Sequence, residues 1–224
     1  MDGFAGGSVF LVETTSAVLS DMTITNGAAQ EGGGIHNTGT ELSVTNCHIE
    51  SNYSSWRGGG IFNSQGAITI SGSSIEANEA GTGGGLYSYS GTLDLIDSVI
   101  SSNESDGHAG GLYNGQDGET KLKDVSVQDN TCYIDGGGIF NYGTMTIDNS
   151  SIHGNKSTNY SGGAIRNEGE GTLYINNSTI SGNKSSLGGA IDNWHGTIRL
   201  NSTTVAFNEG SPALDDTDGN VRIK

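Results

Sequence analysis

Acidic and basic side chains recur at a common spacing in the middle of this 224-residue chain. Asp94, Lys121, Lys123 and Asp148 could meet as a polar patch. Acid–base or calcium-assisted chemistry needs convergent carboxylates of this kind. Asp94 and Lys121 are expected to neutralise one another, which leaves only Asp148 over. Near the C-terminus, Asp215, Asp216, Asp218 and Asn220 have the density of oxygen ligands found in calcium loops. No glutamate follows to complete the shell, so Asp216, Asp218 and Asn220 are a calcium candidate only, and a surface turn is the first expectation. His108, His153 and His195 have no histidine or cysteine at ligand spacing. Cys47 and Cys132 make no disulfide framework and are expected to be unpaired. No catalytic residue, no metal and no cofactor is assigned.

A binding surface is easier to read. His36, Phe62, Tyr87, Tyr113 and Phe140 each follow an aliphatic residue in successive glycine-rich motifs, and Arg166 and Asp192 continue the series. Aromatic rings in such a column would form a platform for sugar rings or for a partner protein. The competing expectation is a ladder that stabilises its sheet or lies under a loop. Arg166 beside Asp192 reads as an ion pair between coils, worth little if exposed. Replacing Ile139 with Asp should bury an unpaired charge and cost several kcal/mol, on the order of a lost core position. Phe140→Ser is expected to leave folding almost unchanged.

What positions these residues is an internal repeat. GGGIHN at 32–37 returns as GGGIFN at 58–63, GGGLYS at 83–88, AGGLYN at 109–114, GGGIFN at 136–141, GGAIRN at 162–167 and GGAIDN at 188–193. The period is about 26 residues, with Val9 and Leu214 as outlying copies of the aliphatic position. A second motif, aliphatic–two residues–Asn, interleaves with the first from Ile49/Asn52 to Val205/Asn208. An alternating strand precedes each copy: LSV, ITI, LDL, TKL, MTI, LYI, IRL. Three short strands per repeat, with turns rich in Gly, Asn, Ser and Asp, predict a right-handed parallel β-helix of eight or nine coils.

Register then predicts the columns. Leu42, Ile68, Leu93, Thr120, Met145, Leu173 and Ile198 form one core stack, and Val44 through Leu200 a second. Cys47, Ser73, Ser98, Val125, Ser150, Ser178 and Thr203 form a third, of small residues suited to a tight corner. Two columns of asparagine are expected to hydrogen-bond along the axis. The outward positions Ser43, Thr69, Asp94, Lys121, Thr146, Tyr174 and Arg199 carry charges that interrupt any threonine array, which argues against ice binding.

Composition limits the partners. Nine basic residues against 25 acidic give a net charge of −16, which repels nucleic acid and anionic lipid. No run of apolar residues is long enough to span a bilayer, so direct membrane insertion is not expected of this segment. The predicted organisation is a single β-helical domain over 1–224, with an opening coil at 1–31, regular coils at 32–208 and a degenerate closing coil at 209–224. It is expected to be a segment of a larger secreted protein.

The GG[AG][IL]xN motif, followed by TLTIxxSxIxxN, resembles the GGAI/FxxN repeats of chlamydial polymorphic outer-membrane proteins. It is similar as well to β-helical repeats of large bacterial surface proteins. MTITNGAAQEGGGIHN at 22–37 resembles their opening coil, and EGSPALDD at 209–216 their closing coil. The second motif has Ile or Val where the chlamydial repeat has Phe. The resemblance covers nearly the whole chain and implies a pectin-lyase-like superhelix in an extracellular or cell-surface adhesin or passenger, without catalytic residues to carry over. The partner expected is a host or cell-surface protein or glycan. The alternatives are a polysaccharide lyase or glycoside hydrolase of the pectin-lyase superfamily, against which the short loops argue, and a purely structural or engineered solenoid.

Overall fold

At least three left-handed residues bend each full repeat from Gly32 onward back on itself. In the coil beginning at Gly58 (φ +65°), two further bends fall at Gly72 (φ +56°) and Ala77 (φ +51°), and Gly66 (φ +87°) adds a fourth left-handed residue that not every coil has. Equivalent corners fall mostly on Asn, Asp, Ser and Gly, residues that tolerate positive φ. In the computed structural model, which describes residues 6–217 and 220–223, the segments between bends are extended and stack coil upon coil. The result is a parallel β-solenoid, with 30 strands and no α-helix among the described residues.

The strands fall into sheets of 16, 8 and 6. The largest holds the I-x-N strands, such as Ile61–Asn63 and Ile139–Asn141, and the alternating strands, such as Ala67–Ser71 and Thr144–Asp148. In two coils these run together as Leu86–Ile96 and Leu112–Lys123, which joins the two stacks into one sheet. The second sheet stacks the segments before the second asparagine, from Thr23–Thr25 to Thr204–Ala206. The third comes from a fourth segment in the coil, between that asparagine and the glycine motif. Tyr53–Arg57 and Glu79–Thr82 are examples. Every strand ladder is parallel, and the register places Ile35, Ile61, Leu86, Leu112, Ile139, Ile165, Ile191 and Leu214 in one column.

One end of that column departs from expectation. Ile35 pairs with Phe10, not Val9, which is 43% exposed. Phe10 and Val12 therefore point inward and Leu11 outward, as two-residue alternation requires once the register is set. Both predicted aliphatic stacks lie in register, and both are buried from Leu42 and Val44 onward. The middle glycine of each motif leaves room where neighbouring coils press together. A Cβ on Gly59 would lie 2.4 Å from the Glu79 carbonyl oxygen and 2.5 Å from that of Gly84.

Asparagine amides stitch the coils together. Asn52, Asn78, Asn103, Asn130, Asn155, Asn183 and Asn208 form one unbroken column, in which each Nδ2 donates to the next Oδ1 at 2.9–3.0 Å. The same Oδ1 also accepts the preceding asparagine's backbone N–H, and the same Nδ2 reaches a carbonyl one coil back. Buried backbone groups that no strand ladder can reach are satisfied this way, at about 1 kcal/mol per bond.

The small-residue column does similar work. The Ser73, Ser98, Ser150 and Ser178 hydroxyls each accept a backbone N–H from the preceding coil at 3.0–3.2 Å and donate to the carbonyl two residues earlier. Cys47 takes a place in this column, fully buried and unpaired. Cys132, on the third sheet, is also buried and unpaired, and burial pushes its thiol up to about 12.

The other asparagine column is broken once. Asn37 donates to Asn63, Asn114 to Asn141, Asn141 to Asn167 and Asn167 to Asn193 at 2.7–2.9 Å. Between them stands Ser88, in register with Asn63 and Asn114. Asn114 Oδ1 thus receives no amide from the coil before it. The Thr120 hydroxyl donates to it instead, at 2.9 Å. This accounts for the one polar residue in an otherwise aliphatic core stack.

Candidate functional site

The aromatic column forms on the outer face of the I-x-N strands, in the order read from the repeat. His36 meets Phe62 edge-on at 5.0 Å between ring centroids, and Phe62 meets Tyr87 tilted at 5.8 Å. Tyr87, Tyr113 and Phe140 lie nearly parallel, at 4.4 and 4.9 Å. These spacings are set by the inter-strand distance, so the sheet itself imposes the stack.

The stripe is outward but mostly covered. Phe62, Tyr87 and Phe140 are only 4–6% exposed, while His36 and Tyr113 are partly buried. Burial pushes the Tyr87 and Tyr113 hydroxyls up and the His36 imidazole down. The nearly complete burial of Phe140, stacked on Tyr113 and met edge-on by His108 at 4.8 Å, means that Phe140→Ser removes packed surface. The expectation that it leaves folding unchanged is therefore revised.

What meets the rings, at Arg57 over Tyr87 and at His108 against Phe140, is the turn before the glycine motif. The residue immediately ahead of that motif makes its own column, Glu31, Arg57, Thr82, His108, Asp135, Ser161 and Leu187, held in step by the backbone bonds beside it. Arg57 lies against Trp56 and over the stripe, 3.8 Å from the Trp56 centroid and 5.2 Å from that of Tyr87, and pairs with Glu31 at 3.7 Å. Sequence reasoning missed this column. Its signal was present, because it sits at a fixed offset from the most regular motif in the chain. It varies in residue type, however, and only adjacency across coils turns those types into pairs.

Farther along, the stripe changes from aromatic to charged. Arg166 and Asp192, each 4% exposed, form a buried ion pair through Nη1 and Oδ2. Arg166 also donates through Nε to Glu168 at 2.8 Å and through Nη1 to the Ser161 hydroxyl at 2.9 Å. Trp194 closes the guanidinium from the side, 4.7 Å from its ring centroid to the carbon. Burial pushes the Asp192 carboxyl up, against the pull of Arg166. Asp215 follows Asp192 in register. A cleft of about 190 Å³ opens here, with Arg166, Asp192 and Asp215 below and Tyr160, Leu187 and Trp194 at its rim. Those three rim residues are 45–55% exposed.

The arrangement resembles a catalytic relay only in composition. Ser161 donates its hydroxyl to Asp135 Oδ1 at 2.8 Å, and His108 Nδ1 lies on the far side of that carboxylate, 3.6 Å from Oδ2. An activated serine needs its proton facing the base. Here the carboxylate stands between them. The His108 Nδ1 makes no hydrogen bond, and burial holds the imidazole below its ordinary value.

The polar patch on the alternating strands differs from expectation in one pairing. Asp94 and Lys121 do stack, but Lys121 makes its ion pair with Glu119, two residues back on the same face, at 2.8 Å. A neighbour on the same strand face reaches the amine directly, whereas Asp94 acts on it only through its charge. Asp148 accepts the Asn176 amide at 2.7 Å. Of the calcium candidate, Asp216 accepts the Asn193 amide at 2.6 Å and so continues the asparagine column, while Asn220 lies on a separate strand. Asp218 lies outside the described residues. Among the described residues no cluster of three or more His, Cys, Asp or Glu is placed to hold a metal ion. In comparison with known proteins, the chain matches no protein family, no curated protein and no solved structure.

Proposed function

We propose that the chain is a non-catalytic binding module of an extracellular or bacterial cell-surface protein. It would be a right-handed β-helix of the adhesin or passenger type, akin to the polymorphic outer-membrane repeats. Its ligand is a host or cell-surface glycan or protein. The observation that carries this reading is the end of the stripe, where three large exposed side chains rim a cleft over a rigid, ion-paired floor. Exposed aromatic and aliphatic groups around fixed hydrogen-bonding groups suit recognition. The nucleophile and acid–base candidates beside it are engaged with each other. Ser161 is held by Asp135 and Arg166, and Asp192 by Arg166.

One observation favours a second reading. Asp192, with its carboxyl pushed up, stacks next to Asp215 in that cleft, and two unlike carboxyls are what a glycoside hydrolase uses. A glycan array and a polysaccharide-depolymerisation assay, each with and without calcium, separate the two. Binding without product, abolished in Trp194→Ala and Tyr160→Ala, supports a binding module. New reducing or unsaturated ends, abolished in Asp192→Asn, would replace it with an enzyme.

A further inference from the structure

A second surface, on the alternating strands at the C-terminal end, carries an independent inference. Tyr174, Arg199 and Arg222 are consecutive in register along the coil axis. Both arginines are exposed, and among the described residues neither has an acidic partner. Two guanidinium groups one coil apart, about 4.8 Å, repel each other. Their isolation is notable in a chain with 25 acidic residues and only nine basic ones. Farther up the same column, Lys121 is neutralised by Glu119, so the face can satisfy its cations where nothing else is asked of them.

The arginines line a cleft of about 280 Å³ with Tyr174, Asn176 and Asn201. Arg199 lies 5.4 Å from the Tyr174 ring centroid, which keeps its head group beside the ring. The Asn176 amide is occupied by Asp148, whereas among the described residues the exposed Asn201 side chain makes no hydrogen bond. We propose that Arg199 and Arg222 bind a single phosphate or sulfate ester group carried on a sugar. The two planar forks present parallel N–H donors to a tetrahedral oxyanion. The Asn201 amide supplies a further donor, and Tyr174 offers an aromatic surface for the sugar ring. The site accommodates one such group rather than a polyanion. The next positions along the column are Thr146 and the already paired Lys121, and the net charge of −16 repels a long anionic chain.

Calorimetric titration of the full chain with glucose 6-phosphate, inorganic phosphate and glucose tests this. Glucose 6-phosphate should bind at least about tenfold more tightly than inorganic phosphate, and glucose should not bind, since the charged hydrogen bonds carry most of the affinity. Arg199→Gln and Arg222→Gln should each weaken glucose 6-phosphate binding by on the order of tenfold. Without ligand, both variants should melt no lower than the parent chain, because each removes a like-charge contact. The rise in Tm that the sugar phosphate gives the parent should shrink in both. Equal affinity for inorganic phosphate would overturn the sugar assignment. Absence of binding, or affinity unchanged in both variants, would overturn the site.

Discussion

The two halves of the outward stripe share one backbone position and differ in everything the side chains do. From His36 to Phe140 the column is aromatic, stacked ring on ring and met at Tyr87 and Phe140 by the turn before the glycine motif. From Arg166 to Asp215 it is charged, and its cover opens into a cleft. Rings bury surface without needing specific partners, so the first half is held by packing. Charges cannot be buried without partners, so the second half must fix its neighbours, Ser161, Glu168 and Trp194, in definite places. A solenoid supplies identical slots, and the side chain in each slot decides whether it becomes a strut or a site.

The sharpest way to break this contrast is Arg166→Ala. It leaves the Asp192 carboxylate buried without its cation and should cost roughly 3–5 kcal/mol by urea unfolding. Replacing both residues with apolar ones of similar volume should recover most of that loss. If the single variant loses less than about 1 kcal/mol, in the range of an exposed pair, then the charged half is not buried in solution.

In the aromatic half, Phe140→Ser should cost about 3 kcal/mol through lost packing. Tyr113 fluorescence and near-ultraviolet circular dichroism should change with it. A variant as stable as the parent would mean that the turns do not cover the stripe.

The smallest effect lies at the boundary, where His108 touches Phe140 on one side and Asp135 on the other. Burial lowers its pKa from 6.5, while Asp135 and Glu168 raise it and Arg166 lowers it further. The unfolded chain therefore takes up a proton on His108 more readily than the folded one. Stability should fall as pH drops below about 6.5 and be fully present above it. His108→Gln should flatten the dependence of Tm on pH between about 5 and 7. An unchanged slope would place the dependence elsewhere.

Much of this is legible in the sequence alone. The period of the glycine motif gave the solenoid, and the second asparagine motif gave a column whose amides do bond from coil to coil. Thr120 was legible as a core position but not as a hydrogen-bond donor, because the reason for its hydroxyl lies in Ser88, one coil away. The stripe was legible as outward, but its accessibility was not. Arg57 and His108 cover it from turns whose residue types do not repeat.

From Ile35 onward, the sequence by itself determined which residues face in or out, and which stack on which; before it, the structure puts Phe10 in the place read for Val9. A fixed period and two-residue alternation leave little freedom once coils are in register. Only the tertiary structure decided how far each outward residue is covered and which neighbour it pairs with. Thus Lys121 takes Glu119 over Asp94, Asp216 extends the asparagine column, and among the described residues Arg199 and Arg222 remain without an acid. The physical reason is that register fixes the rows of a solenoid, while pairing depends on side-chain reach across rows and on the path of turns that obey no repeat.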